Sequence, residues 1–170
     1  MLQWVGHGGI HIRCSRLLDK ARVRGLIFKH QPGYIHQLQN NYTIIVAADL
    51  SPEMERVVVI KELMHCYLGP DGGGVYATNN QFVFDSAFKS FFRQSYAIDS
   101  HPNQAERKAM WMALGVICPE VERMQYQVRV NDPNDAFTVA NFAAVFRISE
   151  HHADAILSEQ YEREIAEILE

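Results

Sequence analysis

Three polar residues interrupt an otherwise apolar stretch near the middle of the sequence. Residues 57–68 read VVVIKELMHCYL, and Lys61, Glu62 and His65 stand among apolar side chains. Their spacing is that of H-E-x-x-H, a helical motif in which two His residues bind Zn²⁺ and the Glu activates a metal-bound water. Lys61 stands where the first His would be, and its ammonium group has no lone pair for a metal. The pattern indicates either a metal site that lacks one ligand or a helix that simply contains these residues.

The residues around this stretch predict a helix over residues 51–69. Ser51 is a favourable N-cap, and Pro52 fits the first helical position. Gly69 accepts a left-handed cap conformation, and Pro70 cannot continue a helix, so the helix ends there. The positions three and four residues from the Lys or the Glu of the motif hold no opposite charge. Because a buried charge without a partner costs several kcal/mol, we expect these side chains to be satisfied from elsewhere in the chain or by a metal or ligand.

Composition limits the class of protein. The chain has 170 residues, enough for one domain, and a hydrophobic fraction of 48%. Its net charge is -4 and it has no block of Lys and Arg, which argues against direct binding of nucleic acid. The three cysteines, Cys14, Cys66 and Cys118, are far apart, so we expect no disulfide framework and a cytoplasmic location. The sequence shows neither a secretory signal pattern nor an apolar run of about 20 residues, so we expect no membrane span.

The order of the predicted elements indicates an α+β fold, mostly helical, around a small antiparallel or mixed sheet. We expect one domain over residues 1–170, with the strands and a short helix in 1–50 and the motif and closing helices in 51–170. Strands are predicted over residues 10–13, 26–30, 34–39 and 42–48. Besides the motif helix, helices are predicted over residues 14–24, 81–95, 103–118, 137–147 and 149–169. Residues 121–130 are open between a helix and an extended segment, and 131–135 form a loop.

A further carboxylate that could reach the motif lies near the start of the helix predicted over residues 103–118. On the same helix face as Glu106 are Ala109, Met110 and Ala113. Two small residues on this face would let another helix come close, so that Glu106 could contact the side chains of that helix. The alternative is an exposed Glu in the first turn, where the helix dipole favours a negative charge.

Three segments, taken in order, resemble the ImmA/IrrE-type metallopeptidase domain. They are NNYTIIVAADLSPE, RVVVIKELMHCYLG and ERKAMWMALGVICP. In that family a strand precedes a Ser-Pro-capped helix with H-E-x-x-H, and a later helix of the form E-x-x-A-x-x-x-A-x-x-x-x-x-P supplies the third metal ligand. Glu106, Ala109, Ala113 and Pro119 match the later motif. FTVANFAAVFRISEHHADAIL is similar to the closing helices of the family, so the resemblance covers roughly residues 40 to 157.

The resemblance implies a zincin-like fold, helical around a small sheet and dependent on zinc. Members of the family often cleave or sense a transcriptional repressor in phage, mobile-element or stress-response settings. Carried over by position, His65 and Glu106 would be metal ligands, and Glu62 would be the general base. No role carries over to Lys61, because the family has His at this position.

The substitution at Lys61 leaves three functions open. In the first, which we favour, the Lys61 ammonium pairs with Glu106 in place of a metal. The domain is then a regulatory or protein-binding module without a cofactor, and its partner is a protein such as a transcriptional regulator. In the second, the chain is an active zinc peptidase with a substitute ligand from His101, Asp99 or Asp71. In the third, it is a structural or interaction protein unrelated to peptidases, so enzymatic activity stays open.

Overall fold

A computed structural model describes residues 9–20, 24–29, 42–68 and 101–170. In these ranges the chain is α+β, with one mixed three-stranded sheet and six helices, which confirms the predicted fold class. The strands are β1 (Ile10–Ser15), β2 (Gly25–Lys29) and β3 (Tyr42–Ala47). The helices are α1 (Pro52–Leu68), α2 (His101–Ile117), α3 (Glu120–Asn131), α4 (Val139–Phe146), α5 (Glu150–Leu157) and α6 (Glu159–Leu169). None of the helices in the described ranges is long and apolar enough to cross a membrane.

The sheet is built around β3, which lies between the other two strands. β1 runs parallel to β3, with Ile12 opposite Ile44, and β2 runs antiparallel to it, with Ile27 opposite Ile44. β-Branched residues suit this central position, because they pack well on a pleated surface. Ile44 and Val46 are completely buried, so β3 forms the centre of the sheet core.

Helix α1 packs both on the sheet and on α2. On the sheet side, Val58 joins a buried cluster with Ile44 and Val46. On the other side, Met64 packs against Ala109 and Ala113 of α2, two small residues that let the helices approach closely. The polar residues in the middle of α1 therefore lie close to both β2 and α2.

The remaining helices form a second core around α2. Its buried members come from α1, α2, α4, α5 and α6, and they include Trp111, Leu114, Phe142 and Ile156. Tyr126 of α3 packs its ring against three phenylalanines, Phe137, Phe142 and Phe146. This core holds α2 in place, and α2 in turn presents its N-terminal half to α1.

The structure corrects two of the predicted helices. The helix predicted over residues 14–24 is wrong at its start, because Cys14 and Ser15 belong to β1 and pair with β3. Residues 16–18 form a turn after the strand, and Leu17, which the predicted helix would contain, is 95% exposed. The helix predicted over 149–169 is two helices that meet at Ser158.

The other predicted elements are either present or outside the described part of the chain. Residues 121–130, left open by the sequence, are helical within α3. The predicted strand over residues 34–39 and the predicted helix over 81–95 lie outside the described ranges.

Candidate functional site

The polar residues of the motif are buried in the middle of α1. Lys61, Glu62 and His65 are 4%, 3% and 4% exposed, respectively. Glu106 of α2 faces them, and its side chain is 21% exposed. Because α2 begins at His101, Glu106 lies beyond the first helical turn, so the helix dipole does not explain its position. The four residues that the sequence predicted as a site do come together, and we call them the Lys61 cluster.

The Lys61 ammonium joins two carboxylates. Its Nζ donates a hydrogen bond to Oε2 of Glu106 at 2.7 Å and lies 2.8 Å from Oε1 of Glu62. The other carboxylate oxygen of Glu106, Oε1, lies 3.0 Å from Nε2 of His65. Both oxygens of Glu106 are thus occupied by side chains of α1.

The contact between Lys61 and Glu62 contradicts one expectation from the sequence. The sequence predicts no partner for either residue within the helix, because residues three and four positions apart are neighbours on a helix surface and adjacent residues are not. Adjacent side chains leave a helix in different directions, but the long Lys stem bends back so that its ammonium lies beside the neighbouring carboxylate. The predicted contact between Lys61 and Glu106, in contrast, is present.

Charge pairing outweighs burial for both members of the central ion pair. Burial disfavours the charged ammonium of Lys61, but Glu106 and Glu62 raise the pKa of Lys61 above its ordinary value. Burial likewise disfavours the charged carboxylate of Glu106, but Lys61 and His65 lower the pKa of Glu106 to about 2. At neutral pH, Lys61 is therefore protonated and Glu106 is ionised.

Gly25, the first residue of β2, lies directly against the cluster. A Cβ atom at this position would overlap Cγ1 of Val58 and would lie 3.1 Å from Oε1 of Glu62. Gly25 falls between the helix predicted over residues 14–24 and the strand predicted over 26–30, so the sequence did not predict this role. A Gly at the start of an apolar strand is the available signal, because such residues often mark a close backbone approach.

The donor groups in the described part of the chain do not fit a zinc ion. Zinc needs three protein ligands, but Lys61 and His65 already hold both Glu106 oxygens. No group of three or more His, Cys, Asp or Glu residues with metal-site geometry is found among the described residues. The substitute ligands named above are not described: Asp99 and Asp71 lie outside the described ranges, and so does the side chain of His101.

The two ring nitrogens of His65 differ in their contacts with the described residues. Nε2 lies 3.0 Å from Oε1 of Glu106, whereas Nδ1 is buried and has no hydrogen-bond partner among these residues. In metal sites the second ring nitrogen of a ligating His usually donates to a carboxylate or carbonyl that orients the ring. His65 lacks that support within the described residues, which is a further departure from a metal-binding His.

Comparisons with known proteins give no relative for this chain. No protein-family model, no curated protein and no solved structure matches it. The geometry of the Lys61 cluster is therefore the observation from which a function is argued.

Proposed function

We propose that this chain is a degenerate metallopeptidase-like domain of the ImmA/IrrE type that acts as a regulatory or protein-binding module. The observation that carries the proposal is the buried Lys61 ammonium, 2.7 Å from Oε2 of Glu106 and 2.8 Å from Oε1 of Glu62. It lies where the sequence motif of the family would bring a zinc ligand. The arrangement of α1 between a mixed sheet and α2 supports a zincin-like core.

Lys61 can replace the charge of a metal but not its chemistry. One ammonium compensates the neighbouring carboxylates, so that Glu62 and Glu106 stay buried without a bound cation. An ammonium has neither a vacant coordination position for water nor a lone pair for a metal. Glu62, the general base implied by the resemblance, is held by Lys61 and has no activated water to deprotonate. We therefore propose binding and not proteolysis.

A protein is the kind of partner that we propose for a domain that binds without cleaving. The family implied by the sequence acts on or senses transcriptional regulators, and a domain without catalysis could retain the binding part of that function. The net charge of -4 disfavours direct contact with nucleic acid. We propose a cytoplasmic module that binds a transcriptional regulator and needs no cofactor.

Restoring the missing ligand tests the proposal. In Lys61→His the motif becomes H-E-x-x-H, and together with Glu106 it offers three protein ligands. After purification with zinc and without chelator, elemental analysis should find about one zinc ion per chain of the variant and none in stoichiometric amount in the wild type. Lys61→Met is the matched control, because it removes the ammonium without adding a ligand. Lys61→His combined with Glu106→Gln should lose the zinc again.

Two results would count against the proposal. Stoichiometric zinc in the wild type would mean that a substitute ligand exists, and the active peptidase would become the better function. A folded Lys61→His variant that binds no zinc would remove the argument that the cluster derives from a metal site. Circular dichroism of each variant separates loss of binding from loss of fold.

A further inference from the structure

The hydrogen bonds between β1 and β3 show which residues of β1 direct their backbone N–H and C=O groups towards β3. The backbone N–H of Tyr42 donates to the carbonyl of Gly9 at 3.0 Å, and that of Ala48 donates to the carbonyl of Ser15 at 3.0 Å. In a parallel pair, alternate residues of one strand bond to the same neighbour. The odd-numbered residues of β1 therefore bond to β3.

The even-numbered residues of β1 point their backbone groups the other way. Ile10, Ile12 and Cys14 direct their N–H and C=O groups away from β3, at the outer edge of the sheet. No strand in the described part of the chain pairs with this edge. The edge can thus accept an additional strand through main-chain hydrogen bonds.

The middle of β1 is exposed, although Ile10 at its start packs against the cluster between the sheet and α1. The four central residues of β1 are all exposed, and Ile12 has 51% of its surface accessible. Natural edge strands are often protected by charged side chains, Pro, a bulge or a covering segment. β1 contains no Pro and pairs with β3 over six residues without a bulge, so Arg13 is the feature of the strand that limits which segment can add to it.

The charged side chains in β1 and directly after it are positive. Arg13 lies in the strand, on the same face as His11, and Arg16 follows the strand. Arg13 has no acidic partner among the described residues. This local charge contrasts with the net charge of -4 of the whole chain.

We propose that the outer edge of β1 binds an extended segment of a partner protein in which acidic and apolar side chains alternate. An acidic residue opposite Arg13 would pair with its charge, one opposite His11 would accept a hydrogen bond from the ring N–H, and an apolar residue would lie opposite Ile12. A second copy of this chain fits less well, because antiparallel pairing centred on Ile12 would place His11 opposite Arg13 of the other copy. The inference deepens the proposed protein-binding function and rests on it for the class of partner.

Two short peptides provide the probes. The first, Thr-Val-Glu-Val-Glu-Val-Thr, carries acidic residues at alternate positions, and the second has Lys in place of Glu. Fluorescence anisotropy of labelled peptides should show about fivefold tighter binding of the acidic peptide, because the cross-strand charge pair with Arg13 changes from attractive to repulsive. Equal affinity for the two peptides would overturn the proposal.

Three variants separate the edge from general charge effects. Arg13→Glu should reverse the preference between the peptides, whereas Arg16→Glu makes the same charge change outside the strand and should preserve the preference. Ile12→Pro removes an outward N–H and leaves the bonds from β1 to β3 intact, so it should abolish binding of the acidic peptide. Unchanged binding by a folded Ile12→Pro variant would overturn the edge as the site.

The oligomeric state tests the competing occupant. Analytical ultracentrifugation should find no self-association that depends on β1. A wild-type dimer that Ile12→Pro converts to a monomer would identify a second copy on this edge and overturn the proposed partner. Failure of peptide binding would not affect the zinc experiment on Lys61→His, so the failure of one proposal can be distinguished from the failure of the other.

Discussion

Lys61 has a double effect on the stability of the protein. Its burial costs hydration energy, and apolar side chains in place of all members of the cluster would avoid that cost, as found for other buried ion pairs. Once Glu62 and Glu106 are buried beside it, however, Lys61 supplies the positive charge that keeps both carboxylates in place. The cluster is therefore more sensitive to the loss of one member than its net contribution to folding suggests.

We expect Lys61→Met to lower the free energy of unfolding by about 3–5 kcal/mol, because two buried carboxylates lose their counter-charge. Chemical denaturation at neutral pH measures the change. The control is Lys20→Met, which breaks an exposed ion pair with Asp49 and should cost about 1 kcal/mol or less. Equal effects of the two substitutions would contradict the role given to Lys61.

Residue types and spacing predicted part of the cluster but not all of its members or contacts. Lys61, Glu62 and His65 follow from the motif, whereas the residues around Glu106 also fit an exposed Glu, and the family resemblance placed it in the site. The contact between Lys61 and Glu62 depends on how a flexible side chain bends, which spacing does not specify. A Gly before an apolar strand signals a close approach, but which residues approach Gly25 depends on where β2 meets α1, and the local sequence does not specify that.

At the level of elements, the contact between β2 and α1 depends on Gly25. We expect Gly25→Ala to destabilise the protein by about 1–3 kcal/mol, because the added Cβ overlaps Val58 and forces β2 away from α1. Combining it with Val58→Ala opens space for the new methyl group. In a double-mutant cycle the combined variant should lose less stability than the sum of the single variants, and strict additivity would argue against this contact.

The junction between α5 and α6 depends on Ser158. Its Oγ donates to the carbonyl of Ala155 at 2.6 Å and accepts from the backbone N–H of Tyr161 at 3.3 Å, so one side chain serves two helix ends. We expect Ser158→Ala to cost about 1 kcal/mol by thermal or chemical unfolding, which is typical of a lost N-cap. A similar loss for Ser158→Thr, which keeps the hydroxyl, would show that the cap is not the cause.

The accuracy of the predicted elements follows the strength of their local signals. The helix predicted over residues 103–118 is nearly that of α2, His101–Ile117, because its apolar spacing and the following Pro are strong signals. The start of the helix predicted over 14–24 failed because pairing with β3, a contact distant in sequence, overrides weak helical spacing. The sequence did not predict that the helix is interrupted at Ser158, because Ser is also tolerated inside helices.

In the whole molecule, two groups whose pKa is lowered by their surroundings, Glu106 and His152, lie in different parts of the fold. Glu106 belongs to the cluster between α1 and α2, whereas His152 lies in α5 and is 1% exposed. Burial, with smaller effects from His151 and Arg24, lowers the pKa of His152 to about 4. Its Nδ1 lies 2.8 Å from Oγ of Ser149, the N-cap of α5. Acid should thus weaken the two parts of the molecule at different pH.

We expect the free energy of unfolding to fall in two steps as the pH is lowered. Both groups have a lower pKa in the folded than in the unfolded protein, so each contributes stability above its unfolded pKa and loses it as the pH falls towards its folded pKa. For His152 this loss extends from about 6.5 down to about 4. For Glu106 it extends from about 4.5 down to about 2.

Variants at the two residues should separate these steps. In urea unfolding followed by circular dichroism between pH 7 and pH 3, His152→Gln should flatten the curve above about pH 4.5, and Glu106→Gln should reduce its slope below that value. His152→Gln loses stability at neutral pH as well, because the contact of its ring with Ser149 is removed, so the slopes and not the absolute values carry the comparison. If both variants changed the same part of the curve, the two groups would not titrate independently. The assignment of one pH range to Glu106 and another to His152 would then be wrong.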